Sequence, residues 1–180
     1  MKFLQFLRKR RSCASDGEPL CFPLAITVRI ALLDTRLRTD SNIRLFESQH
    51  LGGLQEYAPE AIVAPLDLAL SLADQKTRGL FDLPSLNVAI VVITSVDDSP
   101  LAEHHRDLLW RAFGVPVFEQ LRGSDGAIIA RECEVHDGLH ISAELAREFG
   151  EAITYDQCEC GSEVPRLLQS RRTIAAQSGS

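Results

Sequence analysis

Four residues in the C-terminal half of the chain are of the types that hold a zinc ion. They are Cys133, His140, Cys158 and Cys160, which offer three sulfur atoms and one imidazole nitrogen. Zinc binds Cys sulfur at about 2.3 Å and His nitrogen at about 2.0–2.1 Å, and four such ligands close a tetrahedral centre that is structural rather than catalytic. The set indicates a structural zinc site. Three unlinked thiols and an ordinary histidine are the alternative, because Cys-x-Cys is less diagnostic than Cys-x-x-Cys.

The chain between the first two of these residues has the pattern of a β-hairpin. Two extended runs, residues 128–135 and 139–141, flank Asp137-Gly138. An Asp-Gly pair between two such runs is a strong signal for a two-residue turn. The hairpin would carry the first two ligands, and the Cys-x-Cys turn would carry the other two.

The register of this hairpin decides which histidine can join the cysteines. With a two-residue turn, Val135 lies opposite His140, and Cys133 follows on the same face. Alternate residues of a strand share one face, so Cys133 and His140 point to one side and His136 points to the other. The pattern favours His140 as the metal ligand and leaves His136 as the alternative.

The upstream part of the chain has the pattern of strands and a helix. Residues 24–33 and 87–94 are apolar runs rich in β-branched side chains, which is typical of strands. The second run has almost no polar interruption, as expected for a central strand buried on both faces. Residues 66–73 predict a helix that runs towards Gly79 and covers the sheet.

A second helix and a further strand complete an α/β unit. Ser99 is a plausible N-cap, Pro100 suits the first helical position, and Gly114 suits the end of the helix. Residues 115–118 then return to extended structure. We therefore expect an α/β fold, with a small mixed or mainly parallel sheet, flanking helices and a zinc-stapled β-hairpin lobe.

Composition and charge suggest four parts along the 180 residues. They are a basic flexible N-terminal segment (1–20), an α/β core (21–127), a hairpin and Cys-x-Cys zinc lobe (128–168) and a disordered tail (169–180). Five of the 19 basic residues, and none of the 25 acidic ones, lie among the first eleven positions. The remainder is therefore acidic, which argues against nucleic acid as a partner.

The same sequence features predict a cytoplasmic location. The charges at the start follow the apolar residues, opposite to the order in a secretory signal. No apolar run approaches the roughly 18–20 residues of a transmembrane helix, so no transmembrane segment is expected. Five cysteines without a secretory signal are typical of a reducing compartment, where clustered cysteines more often bind metal than form disulfides.

A short polar loop is the second place where the sequence could bind a ligand. Gly123-Ser124-Asp125-Gly126 puts a hydroxyl and a carboxylate near a strand end, where α/β proteins commonly bind ligands. Surface turns require the same residue types, and a turn is the favoured interpretation. No catalytic residue is predicted, and Ser124 and Asp125 would be the candidates if the loop were a site; Gly123, Ser124 and Asp125 are the candidates for cofactor binding.

A series of motifs follows one order along the second half of the chain. They are Pro84-Ser85-Leu86, residues 112–120, Glu132-Cys133-Glu134, residues 137–141, Cys158-Glu159-Cys160-Gly161 and Pro165-Arg166-Leu167. In this order they resemble the adenylate-forming (AMP-binding) acyl-CoA ligases of the phenylacetate-CoA ligase type. Some members of that family carry zinc at the corresponding Cys, His and Cys-x-Cys positions, so the resemblance implies zinc here.

The resemblance also implies that catalytic parts are missing. These ligases convert a carboxylate to an acyl-adenylate with ATP and Mg²⁺ and pass the acyl group to CoA, with a Tyr-Gly-x-Thr-Glu loop at the nucleotide. The corresponding residues 121–125 read Leu-Arg-Gly-Ser-Asp, a vestigial nucleotide loop. The phosphate loop, the ribose-binding segment and the lid with its catalytic lysine have no counterpart. Adenylyl transfer depends on such positioned charges, so the resemblance implies a pseudoenzyme.

Three functional hypotheses follow from the sequence. The first is a non-catalytic, zinc-stabilised ligase-like α/β module that binds a partner protein or a small acyl or nucleotide ligand. The alternative is one component of a split ATP-dependent acyl-CoA ligase that another chain completes, and this version alone requires ATP, Mg²⁺ and CoA. A third is a decaying fragment that retains only a fold. A protein partner or a homo-oligomer is compatible with the first two.

Overall fold

The computed structural model describes residues 28–33, 43–47, 51–123 and 125–168. The strands are β1 (Ile30–Leu32), β2 (Ile43–Leu45), β3 (Ala61–Pro65), β4 (Ala89–Ser95), β5 (Val117–Arg122), β6 (Ile128–Glu132), β7 (Leu139–Ile141), β8 (Ile153–Thr154) and β9 (Arg166–Leu167). The helices are α1 (Leu51–Tyr57), α2 (Leu66–Thr77), α3 (Glu103–Phe113) and α4 (Ala143–Ala146), and a 3-10 turn covers Gly150–Ala152. Among the described residues, no helix is long and apolar enough to cross a membrane.

These strands form one mixed sheet in the order β2-β1-β3-β4-β5-β6-β7-β9-β8. The strands from β2 to β5 are parallel, and every pair from β5 to β8 is antiparallel. The predicted α/β class with a mixed sheet is confirmed. The sequence analysis places a boundary between the core and the hairpin lobe after residue 127. The same sheet has strands on both sides of this position, and the division into two parts stays a prediction. The predicted basic segment (1–20) and tail (169–180) lie outside the described residues.

The parallel half of the sheet is buried on both faces. Helices α1, α2 and α3 pack on one face, where Leu54, Leu72 and Leu109 join the alternate β4 residues Ile90 and Val92 in one apolar cluster. The β4 residues Ala89, Val91 and Ile93 belong to a second cluster on the opposite face, together with side chains of β1, β3 and β5. The prediction of a central, doubly buried strand is confirmed. The predicted helix from residue 66 is confirmed as well and runs to Thr77.

The antiparallel half has a smaller core of its own. Its buried apolar members are Leu121, Ala130, Leu139, Ile141, Ala146, Ala152, Ile153 and Leu167. Helix α4 and the 3-10 turn contribute to this cluster from between β7 and β8. A core of this size gives modest stabilisation by apolar burial, so this half of the sheet is where an additional cross-link has the largest effect.

Two strand and helix boundaries differ from the sequence prediction. The strand predicted over 24–33 is confirmed only at Ile30–Leu32, and residues 24–27 lie outside the described part. The helix predicted from Ser99 begins at Glu103. One cause is local, since the backbone N–H of Ser95 donates to the carboxylate of Asp98 at 2.8 Å and closes a turn after β4. Leu101 is 1% exposed and packs in the core before the helix begins.

The end of α3 gives a stability prediction. Gly114 ends the helix as predicted, in the left-handed conformation with φ 70°, and an added Cβ would meet nothing within 4 Å. Only backbone strain therefore opposes a side chain there, and Gly114→Ala is expected to lower the free energy of unfolding by about 1–2 kcal/mol. Gly52→Ala in α1 is the control, because that position is equally open without a positive φ. Equal midpoints for both variants in urea unfolding would contradict the prediction.

Candidate metal centre

Strands β6 and β7 form the predicted hairpin with a longer loop than expected. His140 pairs with Arg131 rather than with Val135, and the loop spans residues 133–138. The predicted register was therefore wrong by four residues. Because an even shift leaves every side chain on its face, Cys133 still lies on the same side as His140. Cys133 and His140 therefore share a face although the predicted two-residue turn is not formed, and the choice of His140 over His136 as a metal ligand stays a prediction.

The loop takes its shape from contacts with β9. The backbone N–H of His136 donates to the carbonyl oxygen of Cys133 at 3.1 Å, and His136 itself has φ 58°. Gly138 has φ 81°, and a Cβ there would lie 2.9 Å from the carbonyl oxygen of Leu167. A glycine is therefore required at 138 for close approach to β9 as well as for its backbone conformation. The Asp-Gly pair correctly predicts a hairpin, but it does not predict the length of the hairpin loop.

The Cys-x-Cys segment forms a tight turn between β8 and β9. The backbone N–H of Gly161 donates to the carbonyl oxygen of Cys158 at 2.7 Å, and Gly161 has φ 78°. The N–H of Cys158 donates to the carbonyl oxygen of Ser162 at 3.3 Å. These bonds hold Cys158 and Cys160 at fixed positions on one turn, as expected for two ligands of one metal ion.

The four predicted ligands meet at one point. The Sγ atoms of Cys133 and Cys158 are 3.8 Å apart, and Cys160 Sγ is 3.5 Å from Nε2 of His140. A tetrahedral zinc centre with ordinary bond lengths would put two sulfurs about 3.8 Å apart and a sulfur and a nitrogen about 3.6 Å apart. All four ligand atoms lie within 4.8 Å of one another. The cluster can hold a metal ion with small adjustments.

The thiol of Cys133 is protonated when no metal is present. Burial, together with the neighbouring sulfurs of Cys158 and Cys160, raises the pKa of Cys133 to about 12 against the lowering effect of a backbone hydrogen bond from Val135. Cys158 is 2% exposed. A metal ion that binds here must displace protons, because thiolate is the ligating form.

The imidazole of His140 has the opposite preference. Burial lowers its pKa, and the positive charges of Arg131 and Arg166 lower it further, while Glu134 and Asp137 act in the other direction. The ring is therefore neutral, which is the form that binds metal. Its Nδ1 atom is buried and has no hydrogen-bond partner among the described residues, so the flanking strands orient the ring.

The alternative ligand His136 lies outside the cluster. Its ring stacks on Phe118 with the centroids 4.7 Å apart, and its Nδ1 is 3.5 Å from a carboxylate oxygen of Glu132. Both contacts are made away from the three sulfurs. The geometry therefore brings together Cys133, His140, Cys158 and Cys160 and leaves His136 aside.

The predicted nucleotide loop is a turn between β5 and β6. Its backbone is closed by the N–H of Gly123 to the carbonyl oxygen of Ala127 at 2.9 Å, and by Gly126 to Gly123 at 3.0 Å. The carboxylate of Asp125 accepts the N–H of Ala127 at 3.0 Å and so folds back on its own turn. Ser124 lies outside the described residues. The favoured interpretation as a turn agrees with this geometry, and a role in cofactor binding stays untested.

The sequence analysis missed two buried arginine contacts beside the ligands. Arg106 of α3 forms two hydrogen bonds, 2.9 and 3.0 Å long, with the carboxylate of Glu132, the residue before Cys133. Arg166 of β9 binds both the carbonyl oxygen and the carboxylate of Asp137. A charged residue between apolar neighbours, such as Arg166 in Pro-Arg-Leu, could have indicated a buried charge that needs a partner.

The fold and site together define a mixed α/β protein with a Cys3His cluster at the antiparallel end of its sheet. No protein-family model and no curated protein matches the sequence. Among solved structures, 2-hydroxyisobutyryl-CoA ligase, in an open conformation with 2-HIB-AMP and CoA, has the same fold over the aligned part. The TM-score is 0.58 at 12% identity, and the alignment covers 79% of this chain and 44% of that chain. The structural likeness agrees with the resemblance to acyl-CoA ligases at the level of fold.

Proposed function

We propose that this protein is a zinc-stabilised, ligase-like α/β module that binds a partner protein or a small acyl or nucleotide ligand and does not catalyse the ligase reaction by itself. The observation that carries the proposal is the convergence of three sulfurs and one imidazole nitrogen within 4.8 Å. Three thiolates and one imidazole are a donor set typical of structural zinc, and they fill all four tetrahedral positions.

The zinc would be structural because it joins two separate segments. Cys133 and His140 come from the β6–β7 hairpin, whereas Cys158 and Cys160 come from the turn before β9. An ion held by all four closes a long loop of chain and cross-links the half of the sheet that has the smaller core. No coordination position remains for a substrate or an activating water, so Lewis-acid catalysis is not part of the proposal.

The absence of ligase activity is proposed from the loop that corresponds to the family's nucleotide loop. Asp125 uses its carboxylate to close the turn, and the guanidinium of Arg122 donates to the carbonyl oxygen of Gly126 at 2.6 Å and to the side chain of Gln120 at 2.8 Å. These side chains are committed to the protein's own structure. Adenylyl transfer needs charges directed at phosphates and Mg²⁺, and none of the described side chains of this turn has that arrangement.

Metal analysis and an exchange assay test this function together. The purified protein is expected to contain about one zinc per chain by elemental analysis and to show no carboxylate-dependent exchange between ATP and pyrophosphate. The Cys160→Ser variant is the matched control and should contain less zinc. Exchange by the isolated chain would overturn the non-catalytic proposal. Exchange only after addition of a second protein would favour the split-ligase alternative, in which this chain supplies the part it shares with the 2-hydroxyisobutyryl-CoA ligase fold.

A further inference from the structure

Arg166 lies directly beside the candidate metal ligands. It is the cross-strand partner of His140 on the β9 side, and Arg131 is the partner of His140 on the β6 side. Directly paired residues of neighbouring strands project from the same face of the sheet. His140 therefore lies between two guanidinium groups in one row across three strands.

The guanidinium of Arg166 is buried and pairs with one exposed carboxylate. The residue is 4% exposed, and its Nε atom has no hydrogen-bond partner among the described residues. Its ion-pair partner Asp137 has a side chain that is 61% exposed. A buried charge is stable only when it is paired and its hydrogen bonds are made, and the Nε atom leaves one of these hydrogen bonds unmade.

The hydrogen bonds of Arg166 connect the two segments that supply the ligands. Its Nη1 atom donates to the carbonyl oxygen of Asp137 at 2.7 Å and also to the Asp137 carboxylate, within the hairpin loop. Its Nη2 atom is 3.4 Å from the carbonyl oxygen of Asp156, just before the Cys-x-Cys turn. One side chain thus holds both halves of the cluster in place.

The metal centre would carry a charge opposite to that of Arg166. A divalent ion with three thiolates and a neutral imidazole carries one net negative charge, which is costly to bury without compensation. Arg166 is close enough for this to act, since it is the cross-strand partner of His140 and its Nη2 atom lies 3.4 Å from the carbonyl oxygen of Asp156, two residues before Cys158. The negative charge of the centre and the positive charge of Arg166 would therefore offset one another.

We propose that Arg166 is the positioning residue of the metal centre, which joins the two ligand segments and compensates the negative charge of the bound site. The inference rests on the proposed zinc site. It assigns to Arg166 a role in metal affinity that is separable from a role in folding. Groups that orient or neutralise metal ligands typically change metal affinity 10–100-fold when they are replaced.

The test compares the affinities of four purified proteins for zinc and cobalt(II) in competition with a chromophoric chelator. Arg166→Met is expected to bind zinc about 10–100-fold more weakly than wild type and to show an altered cobalt absorption spectrum. Arg166→Lys keeps the charge but not the planar fork and should recover part of the affinity. Arg147→Met, at an exposed arginine beside α4, is the matched control and should bind like wild type.

The possible outcomes separate this inference from the proposed function. Failure of the wild-type protein to bind zinc or cobalt contradicts the metal site itself. Wild-type binding with equal affinities and spectra for Arg166→Met and Arg147→Met overturns only the role of Arg166. If Arg166→Met does not fold, Arg166→Lys decides, because it keeps the charge but lacks the planar fork that reaches both ligand segments. Weaker cobalt binding by Arg166→Lys than by wild type supports the inference, and unchanged binding overturns it.

Discussion

Removal of the proposed zinc ion is expected to unfold the antiparallel half of the sheet while the parallel half remains folded. Metal binding contributes roughly 10–16 kcal/mol of apparent stabilisation in small structural zinc modules. The antiparallel half has a small apolar core, whereas the parallel half is covered by three helices on one face and buried on both. The loss of the metal therefore affects the part of the chain that depends on it.

Hydrogen exchange with and without a strong chelator measures this effect residue by residue. Amides in residues 128–168 should lose protection on chelation, and those in 61–122 should keep it. Cys158→Ser should reproduce the loss without chelator, because Cys158 is the most buried of the three cysteine ligands. Cys21→Ser makes the same chemical change outside the ligand set and should leave the exchange pattern unchanged. Uniform protection in all four samples would show that no metal cross-links this half.

Loss of the Glu132 carboxylate is expected to destabilise the protein by about 3–5 kcal/mol, the usual cost of leaving one member of a buried ion pair unpaired. The side chain of Glu132 is 1% exposed. It accepts two hydrogen bonds from Arg106 and one from the backbone N–H of Glu119 at 2.7 Å. It thereby joins α3, β5 and β6 at one point. Glu132→Leu removes all three acceptor contacts and leaves the guanidinium of Arg106 without its carboxylate.

A double-mutant comparison separates the pair from the apolar packing. Glu132→Leu and the double variant Arg106→Met/Glu132→Leu are unfolded in denaturant, with Glu148→Gln as the exposed control. The double variant should recover part of the lost free energy, because no unpaired charge remains buried. If Glu132→Leu is as stable as Glu148→Gln, the buried pair has no role in stability. Zinc content, measured in parallel, shows whether a shift of β6 also displaces the neighbouring Cys133.

Several features could be predicted because their causes are local. The residue types of Cys133, His140, Cys158 and Cys160 define the donor chemistry, and the hairpin brings two of them together by strand geometry alone. The continuous apolar run of β4 indicates a strand buried on both faces, and the helical periodicity of α2 indicates a helix. Both patterns can be recognised from the local sequence alone. Even the ligand choice of His140 over His136 depended only on strand periodicity, which an even register error does not change.

Other features could not be predicted because residues distant in sequence decide them. The length of the β6–β7 loop depends on the close packing of Gly138 against the backbone of Leu167. The late start of α3 depends on the burial of Leu101 in the core. The loop length and the helix start follow from packing across separate segments. The nucleotide-like loop could be either a site or a turn by sequence, and only the structure shows the hydrogen bond from the N–H of Ala127 to the Asp125 carboxylate that belongs to a turn.

The sequence by itself determined the chemistry of this protein, which is a set of three thiols and one imidazole on an α/β chain. Only the tertiary structure decided that these groups meet within 4.8 Å, and that His136 stacks on Phe118 instead of joining them. It also placed Arg166 between the two ligand segments. The physical reason is that residue type fixes which bonds a side chain can form, whereas strand pairing and burial fix which partners it can reach and whether its charge is compensated.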